Sequence, residues 1–107
     1  MPMIEHNQVA PVEMMPGVFR RIMTDGERMM LCEIRLEKGA VVPSHTHPHE
    51  QTGYMMSGRL RFQIGDEVRD LSAGDSWMIP GGSAHEVTAL EECLLIECFS
   101  PPREDFR

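Results

Sequence analysis

Between positions 39 and 51 the chain reads Gly39-Ala40-Val41-Val42-Pro43-Ser44-His45-Thr46-His47-Pro48-His49-Glu50-Gln51. Three imidazoles and an amide thus fall within residues 45 to 51, and a fourth imidazole, His85, follows a Pro80-Gly81-Gly82 turn signal. Imidazole nitrogens with an amide oxygen suit a borderline divalent transition ion, so the chemistry implied is metal binding, with nickel, zinc, iron, manganese and cobalt all compatible. Side chains of a β-strand alternate faces, so His45 and His47 project to one side; Pro48 then ends the strand's hydrogen bonding, and Gln51 returns from the next strand. The predicted ligands are His45, His47, Gln51 and His85. Two neighbours compete for the place of Gln51: Glu50 has the opposite strand parity, and His49 has the parity of the pair but sits where Pro48 bends the backbone. Thiolates and an all-oxygen shell are both missing from the pattern, which disfavours a cysteine-bound structural zinc and a calcium or magnesium site.

Strands must carry these ligands. Short segments of alternating apolar residues recur with turn signals between them, the mark of an antiparallel sandwich or barrel with almost no helix. Val18 to Met23 and Arg28 to Leu36 flank Asp25-Gly26, a dipeptide suited to the positive-φ positions of a tight hairpin turn. Met30, Cys32, Ile34 and Leu36 share one face of the second segment. Gln51 to Ser57 and Arg59 to Ile64 pivot on Ser57-Gly58, with Leu60, Phe62 and Ile64 opposite Arg59, Arg61 and Gln63. Further strands are expected over Glu67 to Leu71, Asp75 to Ile79, around His85 and Val87, and over Cys93 to Phe99. The expected organisation is one domain over 1–107, with an N-terminal arm (1–17), a barrel (18–99) and a C-terminal tail (100–107).

A chain of 107 residues buries one core and no more. Ten basic against 17 acidic side chains give a formal charge of −7, which argues against nucleic acid and anionic membrane surfaces as partners and for a small ligand. The opening Met1-Pro2-Met3-Ile4-Glu5-His6 has neither the basic start nor the apolar run of a signal peptide, and no stretch approaches the ~20 apolar residues of a membrane span, so a soluble, cytoplasmic protein is expected. Cys32, Cys93 and Cys98 lack paired spacing and read as reduced, mostly buried small apolar residues. The ten methionines read as soft filling of core and interface; Met55 and Met56 cannot face the same side of a strand.

The metal motif resembles that of the small single-domain cupins. Their first motif, a glycine, five residues, His-x-His, three residues, an acid or amide, six residues and a glycine, fits Gly39, His45, His47, Gln51 and Gly58; their second fits Gly74, Pro80, Gly82 and His85, with Ala89 where an asparagine is usual. The resemblance implies a double-stranded β-helix, or jelly-roll barrel, of two antiparallel sheets. Many cupins carry glutamate where this chain has Gln51. A neutral amide leaves the ion's charge uncompensated, making it a stronger Lewis acid with room for an anionic substrate oxygen.

The ending Leu95-Ile96-Glu97-Cys98-Phe99-Ser100-Pro101-Pro102-Arg103-Glu104-Asp105-Phe106 is similar to that of the pectin-degradation cupins, which convert 4,5-unsaturated uronates to open-chain 5-keto-4-deoxyuronates. By that resemblance the catalytic residues are Glu97, Phe99 and Arg103, directed at the cavity. The family acid is aspartate, so Glu97 lengthens the arm by one methylene. Glu97 and Phe99 share a strand face opposite Ile96 and Cys98, and a carboxylate among such neighbours is expensive to bury without a use. Arg103 suits carboxylate binding, though an arginine in a tail is equally a surface charge. The resulting expectation is a metal-dependent isomerase of a small acidic sugar. A metal-dependent oxygenase and a non-catalytic binding module stand as alternatives, and a closed two-fold homodimer is the expected assembly.

Overall fold

A computed structural model describes residues 2–107. Ten strands run in chain order: β1 (Val12–Met15), β2 (Val18–Asp25), β3 (Met30–Leu36), β4 (Val41–His45), β5 (Glu50–Ser57), β6 (Arg59–Ile64), β7 (Glu67–Ser72), β8 (Ser76–Ile79), β9 (His85–Ala89) and β10 (Cys93–Ser100). One sheet of six strands has the order β1-β2-β3-β10-β5-β8, and one of four has the order β4-β9-β6-β7. All their pairings are antiparallel. The fold is the all-β barrel of two antiparallel sheets that the alternating pattern predicts, with single 3-10 turns at His6–Gln8 and Glu104–Phe106. Among the described residues no helix is long and apolar enough to cross a membrane.

The period of two in the sequence becomes a core because each strand turns one side inward. In β3, Met30, Cys32, Ile34 and Leu36 are buried and the residues between them are not. In β6 the inward residues are Leu60 and Phe62, flanked by exposed Arg59 and Arg61. Met55 is fully buried while Met56 is half exposed, as their opposite parity requires. Each fully buried Leu or Met contributes about 1.5–3 kcal/mol, so this one-sided burial fixes strand register: a slip of one residue exposes the whole apolar row.

Three local expectations are corrected. Asp25-Gly26 does not make a tight two-residue turn. Asp25 pairs with Met30, so residues 26–29 form the loop, closed by the Gly26 N–H donating to Met29 O at 2.9 Å. Gly26 is not among the glycines with positive φ, because a four-residue loop needs no left-handed pair there. The expected N-terminal arm contains a strand: β1 joins β2, and Met14 and Met15 pack on the core. The expected tail (100–107) is not separate from the barrel, since Pro102 and Arg103 are buried and Phe106 packs against the core.

Gly53, in the middle of β5, lies directly beneath the indole of Trp77. A Cβ placed there would stand 2.2 Å from the ring, far inside contact distance, so Gly53 lets the chain's single tryptophan lie flat on the inner wall. The Gly53→Ala variant is expected to lose about 1–3 kcal/mol through overpacking, measured by thermal melting. Trp77 fluorescence should shift at the same time, and an unchanged emission spectrum with unchanged melting would contradict this packing.

Candidate metal centre and its cavity

His45 ends β4 and His85 begins β9, and the two are register partners in the antiparallel pair. Their ring centroids lie 4.2 Å apart. His47 does not belong to the strand, which ends at His45 rather than at Pro48. Strand alternation therefore does not bring His47 to the site; a loop does. The His47 carbonyl accepts the Gly82 N–H at 2.9 Å, and Gly81 sits so close to Pro48 that a Cβ would lie 2.3 Å from the Pro48 carbonyl oxygen. This contact between the His-x-His loop and the Pro-Gly-Gly turn sets the His47 ring 5.7 Å from that of His45 and 5.0 Å from that of His85. Ligand atoms of the three histidines all lie within 4.8 Å of one another.

Each imidazole is oriented by the backbone. His45 Nδ1 lies 2.8 Å from Pro43 O, His47 Nδ1 3.1 Å from His49 O, and His85 Nδ1 2.9 Å from Ser83 O. A carbonyl only accepts, so each Nδ1 carries the proton and each Nε2 presents a lone pair. Burial pushes His85 down to about 4, with His45 and His47 lowering it further against the Ser83 hydrogen bond. Burial, and after it the nearby Arg103 guanidinium, also lowers His47. Both rings are neutral at pH 7. His85 Nε2 is then a buried acceptor without a partner, and His47 Nε2 lies 3.0 Å from Gln51 Oε1, itself an acceptor. Two lone pairs facing each other and a third unmatched beside them fit a cation, so this donor set can hold a divalent ion.

Gln51 is buried on β5. Its Nε2 donates to Glu97 Oε2, which decides the orientation of the amide and turns Oε1 toward His47. The competing neighbours fall elsewhere. Glu50 is exposed on the other strand parity. His49 sits edge-on to His47, 5.4 Å away, outside the three-histidine cluster, and its carbonyl orients His47.

These groups open onto a cavity of about 540 Å³ whose wall includes His45, Gln51, His85, Glu97, Phe99 and Arg103. Glu97 and Phe99 face inward from β10 with Leu95, as parity requires. Glu97 keeps a strip of surface along the wall, yet protein surrounds its carboxyl closely. Burial raises it to about 7, partly opposed by the Trp77 indole and the Arg103 guanidinium. The indole N–H approaches Glu97 without completing a hydrogen bond of good geometry. Cys32, the register partner of Glu97 on β3, has its thiol pushed up to about 12, first by burial and then by Glu97; it is inert.

Arg103 is no surface charge. It is buried, its Nε and one terminal nitrogen donate to Asp105 at 3.0 and 2.8 Å, and its guanidinium lies 4.2 Å from the Phe106 ring centre and 5.1 Å from that of Phe99. Sequence reasoning passed over Asp105, Phe106 and Trp77, whose places depend on tertiary packing. It also passed over Arg20, although that residue's alternation with Val18 and Ile22 was a visible sign of an inward arginine.

Residues 32–98 match the cupin domain family. The chain belongs to the cupins. A curated relative, the pectin degradation protein KdgF of Dickeya dadantii (strain 3937), is 36% identical over 96 residues, covering 88% of this chain and 87% of the relative. Among solved structures, KdgF from Halomonas sp. superposes with a TM-score of 0.93 at 31% identity, covering 98% of this cupin and 97% of that chain. An RmlC-like cupin from Shewanella frigidimarina NCIMB 400 gives 0.96 at 28% identity, covering 100% and 96%.

Nickel or zinc at a hundredfold its dissociation constant is expected to stabilise this cupin by about 2.7 kcal/mol, seen as a rise in melting temperature that a chelator reverses. His85→Ala should remove the rise while leaving the metal-free protein folded. A rise that survives in His85→Ala would place the ion elsewhere.

Proposed function

We propose that this cupin is a metal-dependent isomerase that opens a 4,5-unsaturated uronate and tautomerises it to a 5-keto-4-deoxyuronate. The observation that carries this reading is the convergence of a three-histidine cluster, an inward carboxyl and the guanidinium groups of Arg20 and buried Arg103 around one cavity. Similarity to a pectin degradation protein supports it, since pectin is built of uronates. The ligands in this reading are His45, His47, Gln51 and His85. An ion held by them would supply Lewis acidity toward substrate oxygens, and its all-neutral ligand set would favour an anionic one.

The protein's own groups do the rest. Arg103 is held rigid by Asp105 and by the rings of Phe99 and Phe106, leaving Nη1 to donate to the substrate carboxylate. Phe99 packs against the sugar. Glu97 accepts the anomeric hydroxyl proton as the bond from C1 to the ring oxygen breaks, which leaves an aldehyde at C1 and an enolate at C5. The same proton, returned from Glu97 to C4, then turns the enolate into a ketone. The sum is an isomerisation: no atom is gained or lost, and no oxidant enters. Glu97 is suited to both transfers because it borders the cavity and is oriented by its contact with Gln51.

The test is to follow loss of the ultraviolet absorbance of the unsaturated uronate's enol ether in the presence of the metal-loaded protein. Glu97→Gln is expected to lower kcat by about 10²–10⁴-fold, the usual worth of a positioned general acid–base, with metal content unchanged. An unchanged kcat would remove Glu97 from the reaction, and absence of turnover by the wild type would remove the reaction itself.

A further inference from the structure

Arg20 stands on β2 with Val18 and Ile22, on the parity that turns toward the core, and is the register partner of buried Ile34. Its same-face neighbours, Val18 and Ile22 along the strand and Ile34 across it, are apolar, a poor environment for a guanidinium without a partner. It nevertheless reaches the same cavity as Glu97 and Arg103, from a strand two places away from β10 in the sheet.

Its partners are too few. One terminal nitrogen donates to the Phe106 carbonyl at 2.9 Å, and the guanidinium lies 4.9 Å from the centre of the Phe106 ring. Nε is buried with no hydrogen-bond partner. Among the described residues Arg20 makes no ion pair. Carboxylates bordering the cavity are engaged elsewhere: Asp105 by Arg103, Glu97 by Gln51, and Glu13 by the Gly17 N–H at 3.1 Å. Glu86 also borders the cavity but makes no ion pair with Arg20. Arg103 spends two of its nitrogens on Asp105 and is neutralised by it; Arg20 is not.

We infer that Arg20 is a specificity-determining residue that binds the carboxylate of a small acidic ligand, forming with Arg103 the two arms of one clamp around Phe106. Arg103 orients the ligand, and Arg20 supplies the uncompensated positive charge that selects an acid over its neutral counterpart. A guanidinium presents its N–H groups in a plane that matches a carboxylate's two oxygens. This assignment deepens the uronate reading and rests on it for the ligand's identity.

The experiment compares galacturonate with its uncharged methyl ester, both lacking the C4–C5 double bond, by NMR titration of the zinc-loaded protein. The wild type is expected to bind the acid about 10- to 100-fold more tightly than the ester, the worth of a charge-assisted pair. Arg20→Met keeps an apolar stem over Phe106 and is expected to lower that preference about tenfold, the remainder resting on Arg103 and the ion, whereas Arg20→Lys retains most of it. Arg20→Gln provides a second uncharged variant should the methionine disturb folding, which melting curves report. A preference that is undiminished in the uncharged variants, or its absence from the wild type, overturns the assignment. A lowered preference together with normal turnover of the unsaturated uronate also overturns it as a feature of that reaction. Arg20-dependent binding of galacturonate by a protein that does not turn over the unsaturated sugar would instead retain the clamp and discard the isomerase.

Discussion

Three backbone carbonyls, those of Pro43, His49 and Ser83, hold the imidazoles in order. An imidazole free to rotate presents either nitrogen to an ion; one whose Nδ1–H is committed presents only Nε2. Because the acceptors are main-chain atoms within two residues of each ring, the local bends at the end of β4 and the start of β9 dictate the tautomers. The barrel exists in this sense to hold two loops at a fixed separation, and the approach of Gly81 to Pro48 sets that separation.

The second organising contact runs from Gln51 to Glu97. It links two neighbouring strands of one sheet, β5 and β10, and it decides which end of the amide faces the histidines. An apolar residue at position 97 would leave the Gln51 orientation open. A polar pair of this kind is tolerated inside the barrel because each member satisfies the other, and because a surround of Leu95, Phe99 and Trp77 keeps competing water limited.

The histidine cluster was legible in the residues themselves: His45, His47 and His85 come together as their type and spacing suggest, and Glu97 stands out as a carboxylate on the inward parity of an apolar strand. The fold class was legible from the same alternation, because inward burial repeats every two residues whatever the connectivity. Three things were not. The reach of β4 was misjudged, since a loop held by a turn far along the chain, not strand geometry, positions His47. The 26–29 loop followed from the pairing of Asp25 with Met30, which local dipeptides do not encode. The surroundings of Arg103 depended on Asp105 and Phe106 folding back on it, a tertiary contact that spacing alone does not reveal.

The cations that border the cavity, Arg20 and Arg103, are both guanidiniums, whereas the chain's one lysine, Lys38, is exposed on the turn between β3 and β4. The thiol beside Glu97 is held in its protonated form by burial. An open-chain sugar acid carries a reactive aldehyde, and aldehydes combine with amines to form imines and with thiolates to form hemithioacetals. Under the proposed function, a chamber furnished with arginine in place of lysine, and with a silent cysteine beside it, would offer such a molecule neither an amine nor a thiolate to combine with.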